Sequence, residues 1–83
     1  MAKYKVITIL KLRLFKYNKI MDIGKRIMIA RKAKGYTQKE LAKETGDSQG
    51  YISLIERNEH TPGMDKLQKI AAALDVKVSD FLV

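Results

Sequence analysis

The stretch Thr37-Gln38-Lys39-Glu40-Leu41-Ala42-Lys43-Glu44-Thr45-Gly46-Asp47-Ser48-Gln49-Gly50-Tyr51-Ile52-Ser53-Leu54-Ile55-Glu56-Arg57-Asn58 decides the fold. Thr37, with Glu40 three residues later, forms a capping box, and Tyr36 and Leu41 stand at the hydrophobic-staple positions on either side of it. A helix is therefore predicted over about residues 38–45. Gly46 ends it, because glycine can take the positive φ that a tight turn requires. Ser48 is the expected cap of the next helix, which turns Ile52 and Ile55 inward and ends near Arg57–Asn58. Ala42 falls where the two helices meet, and a larger side chain there would push them apart.

The pattern extends in both directions. Upstream, Ile20, Ile23, Ile27 and Ala30 keep a helical rhythm, with Asp22 as cap and Gly35 as stop, which predicts a helix over about 22–34. Downstream, Asn58 to Gly63 reads as a loop through Pro62 and Gly63. Met64, Leu67, Ile70, Ala71 and Leu74 form one stripe of a helix over about 64–74. Ser79 is expected to cap a last short turn or helix, and Val76, Val78, Phe81 and Leu82 to close the core. The sum is an all-α, five-helix domain over residues 21–83. Residues 1–20 read differently. Leu10-Lys11-Leu12-Arg13-Leu14 alternates strictly after the β-branched run from Val6 to Ile9, so a strand is predicted over 3–17, with a helix as the alternative. A lone strand cannot satisfy its own backbone and needs a partner.

Size and charge exclude several classes of function. At 83 residues the chain has room for one domain. Its longest apolar run, Val6 to Leu10, stops at Lys11, far short of a membrane span, and no small-residue cleavage site follows it. With no cysteine there is neither a disulfide nor a thiolate metal site. A cytoplasmic protein is the expectation. The 17 bases outnumber the 9 acids, and six of those bases fall in residues 1–20 with no acid among them. Such a balance favours a polyanion as partner, whether DNA, RNA or an anionic membrane surface. His60 stands alone, so no metal is expected. No nucleophile–base–acid set and no Gly-rich phosphate loop is present, so neither an enzyme nor a cofactor is expected.

Two helices joined by a tight glycine turn on a basic chain suggest a DNA-binding helix-turn-helix. At this point the residues resemble a known family. Thr37-Gln38-Lys39-Glu40-Leu41-Ala42, Gly46 and Tyr51 to Asn58, continued through Pro62 and Leu67 to Val76, closely resemble the Cro and phage-repressor type of helix-turn-helix regulator. The resemblance covers about 23–83. It implies a lambda-repressor-like fold, sequence-specific binding of a double-stranded DNA operator, and transcriptional regulation, with repression the expected sign. It also implies that the third helix enters the major groove, that Gln38 and the nearby amides hold a phosphate, and that Arg31 and Glu56 form an ion pair joining the first and third helices. That pair has two readings, a staple between helices or a device that steers Arg31 toward a phosphate. Thr45 and Asp47 depart from the family, where these positions are often apolar. Asp47 is expected to help cap the third helix.

On the outward face of that helix, Gly50, Ser53, Leu54 and Arg57 lie opposite Ile52 and Ile55, with Gln49 and Tyr51 at the flanks. The expected base-reading residues are Gln49, Gly50, Tyr51, Ser53 and Leu54. Gln49 can pair bidentately with adenine, Leu54 can touch a thymine methyl, and Gly50 lets the backbone come close. Gln38, Arg31, Arg57 and Asn58 are the expected phosphate contacts. A homodimer is expected, paired either through the N-terminal strand or through the apolar surface around Phe81 and Leu82. Met21-Asp22-Ile23-Gly24 looks like a family start, so residues 1–20 are an added upstream segment, a dimerisation strand, a basic arm along DNA or a membrane-surface segment. No effector domain is expected after the last helix. The alternative function is an antitoxin that binds a partner toxin and represses its own promoter.

Overall fold

The computed structural model describes residues 22–82. The predicted strand over 3–17 and its proposed roles lie outside the described residues, as do Ile20 and Met21. The chain forms four α-helices, α1 (Ile23–Lys34), α2 (Gln38–Thr45), α3 (Gln49–Glu56) and α4 (Met64–Leu74), followed by a 3-10 helix at Val78–Phe81.

Their ends are set by side chains written into the sequence. Asp22 accepts the Lys25 amide at 3.0 Å and caps α1. Thr37 and Glu40 close the capping box of α2 reciprocally, at 3.0 and 2.8 Å. Gly35 and Gly46 stop α1 and α2 at φ of 85° and 74°, where a Cβ would be strained. α4 stops on Asp75, which takes φ of 61° despite its side chain.

α2 and α3 pack tightly on each other. α1 lies against α3, α4 and the 3-10 helix, and α4 supports α2 from below. The core is Ile27 of α1, Leu41 and Ala42 of α2, Ile52 and Ile55 of α3, Leu67, Ile70, Ala71 and Leu74 of α4, and Phe81. Burying each large aliphatic or aromatic side chain contributes about 1.5–3 kcal/mol, so these few residues carry most of the favourable energy of the fold. No helix among the described residues is long and apolar enough to cross a membrane.

Three expectations need correction. The fifth helix is a 3-10 turn of four residues rather than an α-helix. Its cap is not Ser79, which lies inside it; Asp80 instead reaches back and accepts the Lys77 amide at 3.2 Å. Leu82 does not close the core, since it is about half exposed, and Met64, expected on the α4 stripe, is exposed to the same degree. Met64 is the first residue of α4, one turn before the stripe meets α2. Phe81 is buried in the core, with Val76 and Val78 packed against it as expected.

One contact was not visible in the residue pattern. Gly24 is buried where α1 crosses the end of α3. A Cβ built there would stand 2.2 Å from the Ile55 carbonyl oxygen and 3.0 Å from that of Glu56. Both obstacles are backbone, so only helix movement could relieve them. Gly24→Ala is therefore expected to destabilise the domain by roughly 1–3 kcal/mol despite alanine's better helix propensity. A thermal melt checks this, with a marked drop in Tm as the expected result.

Candidate nucleic-acid interface

The interface is built on α2, the turn after it, and α3. At the turn, the Asp47 amide donates to the Ala42 carbonyl at 2.8 Å, continuing the hydrogen bonding past Gly46. Ser48 then starts α3 by accepting the Tyr51 amide at 3.1 Å. Asp47 does not cap α3 as expected. Its carboxylate turns the other way, accepting from the Thr45 hydroxyl at 2.7 Å and from Lys66 Nζ at 2.8 and 3.0 Å. The Thr45 hydroxyl has one proton, and a charged acceptor is the stronger claim on it than the carbonyls of Leu41 and Ala42 at 3.2 and 3.4 Å. Thr45 and Asp47 thus form a polar contact that ties the turn to α4. Burial alone would raise the Asp47 carboxyl, but hydrogen bonds from Lys66 and Thr45, with the charges of Lys66 and Lys69, outweigh burial and hold it below the ordinary carboxylate value.

A second polar network sits between α1, α2 and α3. Arg31 donates from Nε to Glu56 Oε2 at 2.6 Å and from Nη2 to Oε1 at 3.0 Å, while Nη1 donates to the Tyr36 carbonyl at 2.7 Å. The two side chains are 9% and 3% exposed, so the fork is nearly dry. Gln38 Nε2 donates to Glu56 Oε1 at 3.0 Å, and Gln49 Nε2 donates to Gln38 Oε1 at 3.4 Å. The chain of contacts runs from the last turn of α1 to the first residue of α3. Arg31 has its guanidinium turned inward on three acceptors, which is the geometry of a staple.

The expected base-reading residues separate into two groups. Gln49, Gly50 and Leu54 are exposed, and Ser53 is half-buried beside them. Tyr51 is not on that face. Its ring packs against the core, with the His60 ring 5.2 Å away and Lys66 Nζ 5.8 Å above it. A cation over an aromatic face is attractive, so this ring is held on the α4 side. Arg57 follows α3 directly; it donates to the Ser53 hydroxyl and, from Nε, to Glu59 Oε2 at 3.2 Å. Asn58 takes φ of 63°, and its amide donates to the Ile55 carbonyl at 2.9 Å. It is the left-handed stop of α3, a role asparagine fills more readily than other residues with side chains.

A short helix, a tight left-handed turn and a second helix laid across the first, with one polar face free, define a helix-turn-helix domain. The chain belongs to the helix-turn-helix family, whose profile matches residues 27–81. It is 48% identical over 61 residues to the transcriptional regulator SinR of Bacillus subtilis, covering 72% of this chain and 55% of that protein. It is 37% identical over 59 residues to the immunity repressor of Bacillus phage phi105, covering 71% of this chain and 41% of the repressor. The chain thus spans about half the length of these relatives. A crystal structure of SinR in complex with DNA superposes with a TM-score of 0.70 at 45% identity, covering 74% of this chain and 98% of that one.

Two outcomes test this geometry. Glu56→Ala should cost about 3 kcal/mol or more, because it leaves a buried guanidinium without its anion. A thermal melt matching that of the unaltered protein would contradict the staple. Asp47→Asn should destabilise the domain at neutral pH. The Asp47 carboxyl is held low in the folded state, so its contribution is present above the unfolded value of about 3.9 and is lost as pH falls through the folded one. The stability gap between the two proteins should therefore close below about pH 4, measured by melts across the acid range; parallel curves would contradict the Lys66 pairing.

Proposed function

We propose that this chain is a transcriptional regulator that binds double-stranded DNA sequence-specifically and acts as a repressor, with α3 in the major groove. The observation that carries this reading is the two-sided character of α3. Ile52, Ile55 and Glu56 fasten its inner side, while Gln49, Gly50, Ser53, Leu54 and Arg57 line its outer side. The major groove admits one α-helix, and a helix that reads base edges is best held rigidly from behind. The similarity to SinR solved in complex with DNA supports the same reading.

In this arrangement Gln49 reads adenine, its amide steadied by Gln38. Leu54, an apolar side chain set in a polar face, meets a thymine methyl. Gly50 has open space around it, with Ser48 Oγ at 3.9 Å the nearest atom to a built Cβ, and lets the backbone approach the bases. Gln38 with the N-terminal amides of α2, and Arg57 after α3, meet phosphates. The protein acts as a homodimer. An apolar hollow of about 230 Å³ between α1 and the 3-10 helix, lined by Ile29, Ala30, Val76 and Phe81 among others, supports this, with Ile29 and Leu82 each about half exposed. The antitoxin reading has no comparable support, as the relatives named above are a regulator and an immunity repressor.

Selection of preferred sites from a random DNA pool tests the proposal. Two half-sites about one helical turn apart are expected for the homodimer. Gln49→Ala should keep the fold, lose about 1–3 kcal/mol on the selected site, and relax preference at one base pair per half-site. An unchanged motif at unchanged affinity would move base reading away from Gln49.

A further inference from the structure

We infer that Glu59 is a built-in competitor for DNA phosphate, which occupies Arg57 in the free protein and so sets how strongly the end of α3 grips the DNA backbone. This rests on the DNA-binding reading above and adds to it a residue that lowers affinity.

Arg57 presents its Nε and Nη2 edge to Glu59, at 3.2 and 3.4 Å from Oε2 and Oε1. That is the two-pronged face by which a guanidinium takes a phosphate. Its remaining Nη1 donates to the Ser53 hydroxyl, which keeps the group against the outer side of α3. Backbone geometry delivers the acid to this place. The left-handed turn at Asn58 redirects the chain, and the Glu59 amide then donates to the Leu54 carbonyl at 2.9 Å.

The contrast with Glu56 defines the role. Both glutamates pair with an arginine, but the Glu56 side chain is 3% exposed and the Glu59 side chain 57%, with Arg57 at 54%. The outer pair lies in water, where such pairs contribute little to stability. It can exchange. A phosphate arriving at Arg57 must displace Glu59 or sit beside its negative charge. Either way the arginine neutralises less than a full phosphate, and affinity falls less steeply with salt than the number of bases would suggest. The effect is on the DNA backbone and is independent of sequence.

The test compares the full chain with its Glu59→Gln, Arg57→Ala and doubly substituted forms. Each is titrated against a short random-sequence duplex by fluorescence anisotropy at several salt concentrations, with thermal melts alongside. Glu59→Gln should bind roughly two- to tenfold tighter at the lowest salt, and its log–log salt slope should steepen by up to about 0.9. Its melting temperature should stay where it was. In the Arg57→Ala background most of that gain should vanish. A chain that binds while Glu59→Gln changes neither affinity nor slope overturns the inference. So does an equal gain without Arg57, which would reflect the loss of a negative charge alone. If the unaltered chain binds no duplex at all, the DNA-binding reading itself fails, and the inference with it.

Discussion

A guanidinium and a carboxylate, both withdrawn from water, join α1 to α3. Hydrophobic contacts such as Ile27 against Ile52 and Ile55 are strong but have no direction, so on their own they leave α3 free to roll or slide. The Arg31–Glu56 fork supplies direction. Two parallel hydrogen bonds and a third to the Tyr36 carbonyl define one orientation of α3 relative to α1. Burying two charges is costly unless the geometry is good and the remaining donors are satisfied, and here each edge of the guanidinium has an acceptor. Other features accompany it. α1 also comes close to the end of α3 at Gly24, which has no room for a Cβ. Glu56 must also serve Gln38, which in turn holds Gln49.

The turn between α2 and α3 solves a related problem with different chemistry. Family members often place apolar side chains around the turn glycine, and this chain places Thr45 and Asp47 there. Polar atoms at a buried turn are tolerated only when bonded, and Lys66 from α4 completes the set. Its ammonium lies between the Asp47 carboxylate and the Tyr51 ring. One lysine therefore anchors the turn and the flank of α3 together, and α4 becomes a support for the recognition surface as well as a core helix.

Much of this was legible in the sequence, and the division has a physical basis. Caps, stops and stripes are local. Thr37 with Glu40, Ser48, Gly35, Gly46 and the Ile52/Ile55 pair act within a few residues of themselves, and the structure places them as the residue pattern predicts. The ion pair of Arg31 and Glu56 came from family resemblance, and the structure shows it closed as a two-pronged fork. What escaped was long-range. Gly24 looks ordinary until α3 lies across it. Asp47 next to Ser48 resembles a capping residue, and only the approach of α4 reveals Lys66 as its partner. Tyr51 sits at a flank by helical angle, and the ring fell to the α4 side because His60 and Lys66 hold it there. Asn58, expected to meet phosphate, also takes a positive φ and stops α3, a second role that its residue type permits. The last element was missed for a local reason: it is a four-residue 3-10 turn, too short to leave a periodic pattern, with Asp80 accepting the Lys77 amide and Phe81 buried.

The central claim is that one rigidly backed face, formed by the start of α2 and the outer side of α3, meets duplex DNA. Mapping amide chemical-shift changes by NMR as duplex DNA is added tests it directly. Shifts are expected to concentrate at residues 37–39 and 48–59, with the far side of α4 and the 3-10 helix quiet. Shifts centred instead on the hollow around Ile29, Val76 and Phe81, with α3 unmoved, would contradict it.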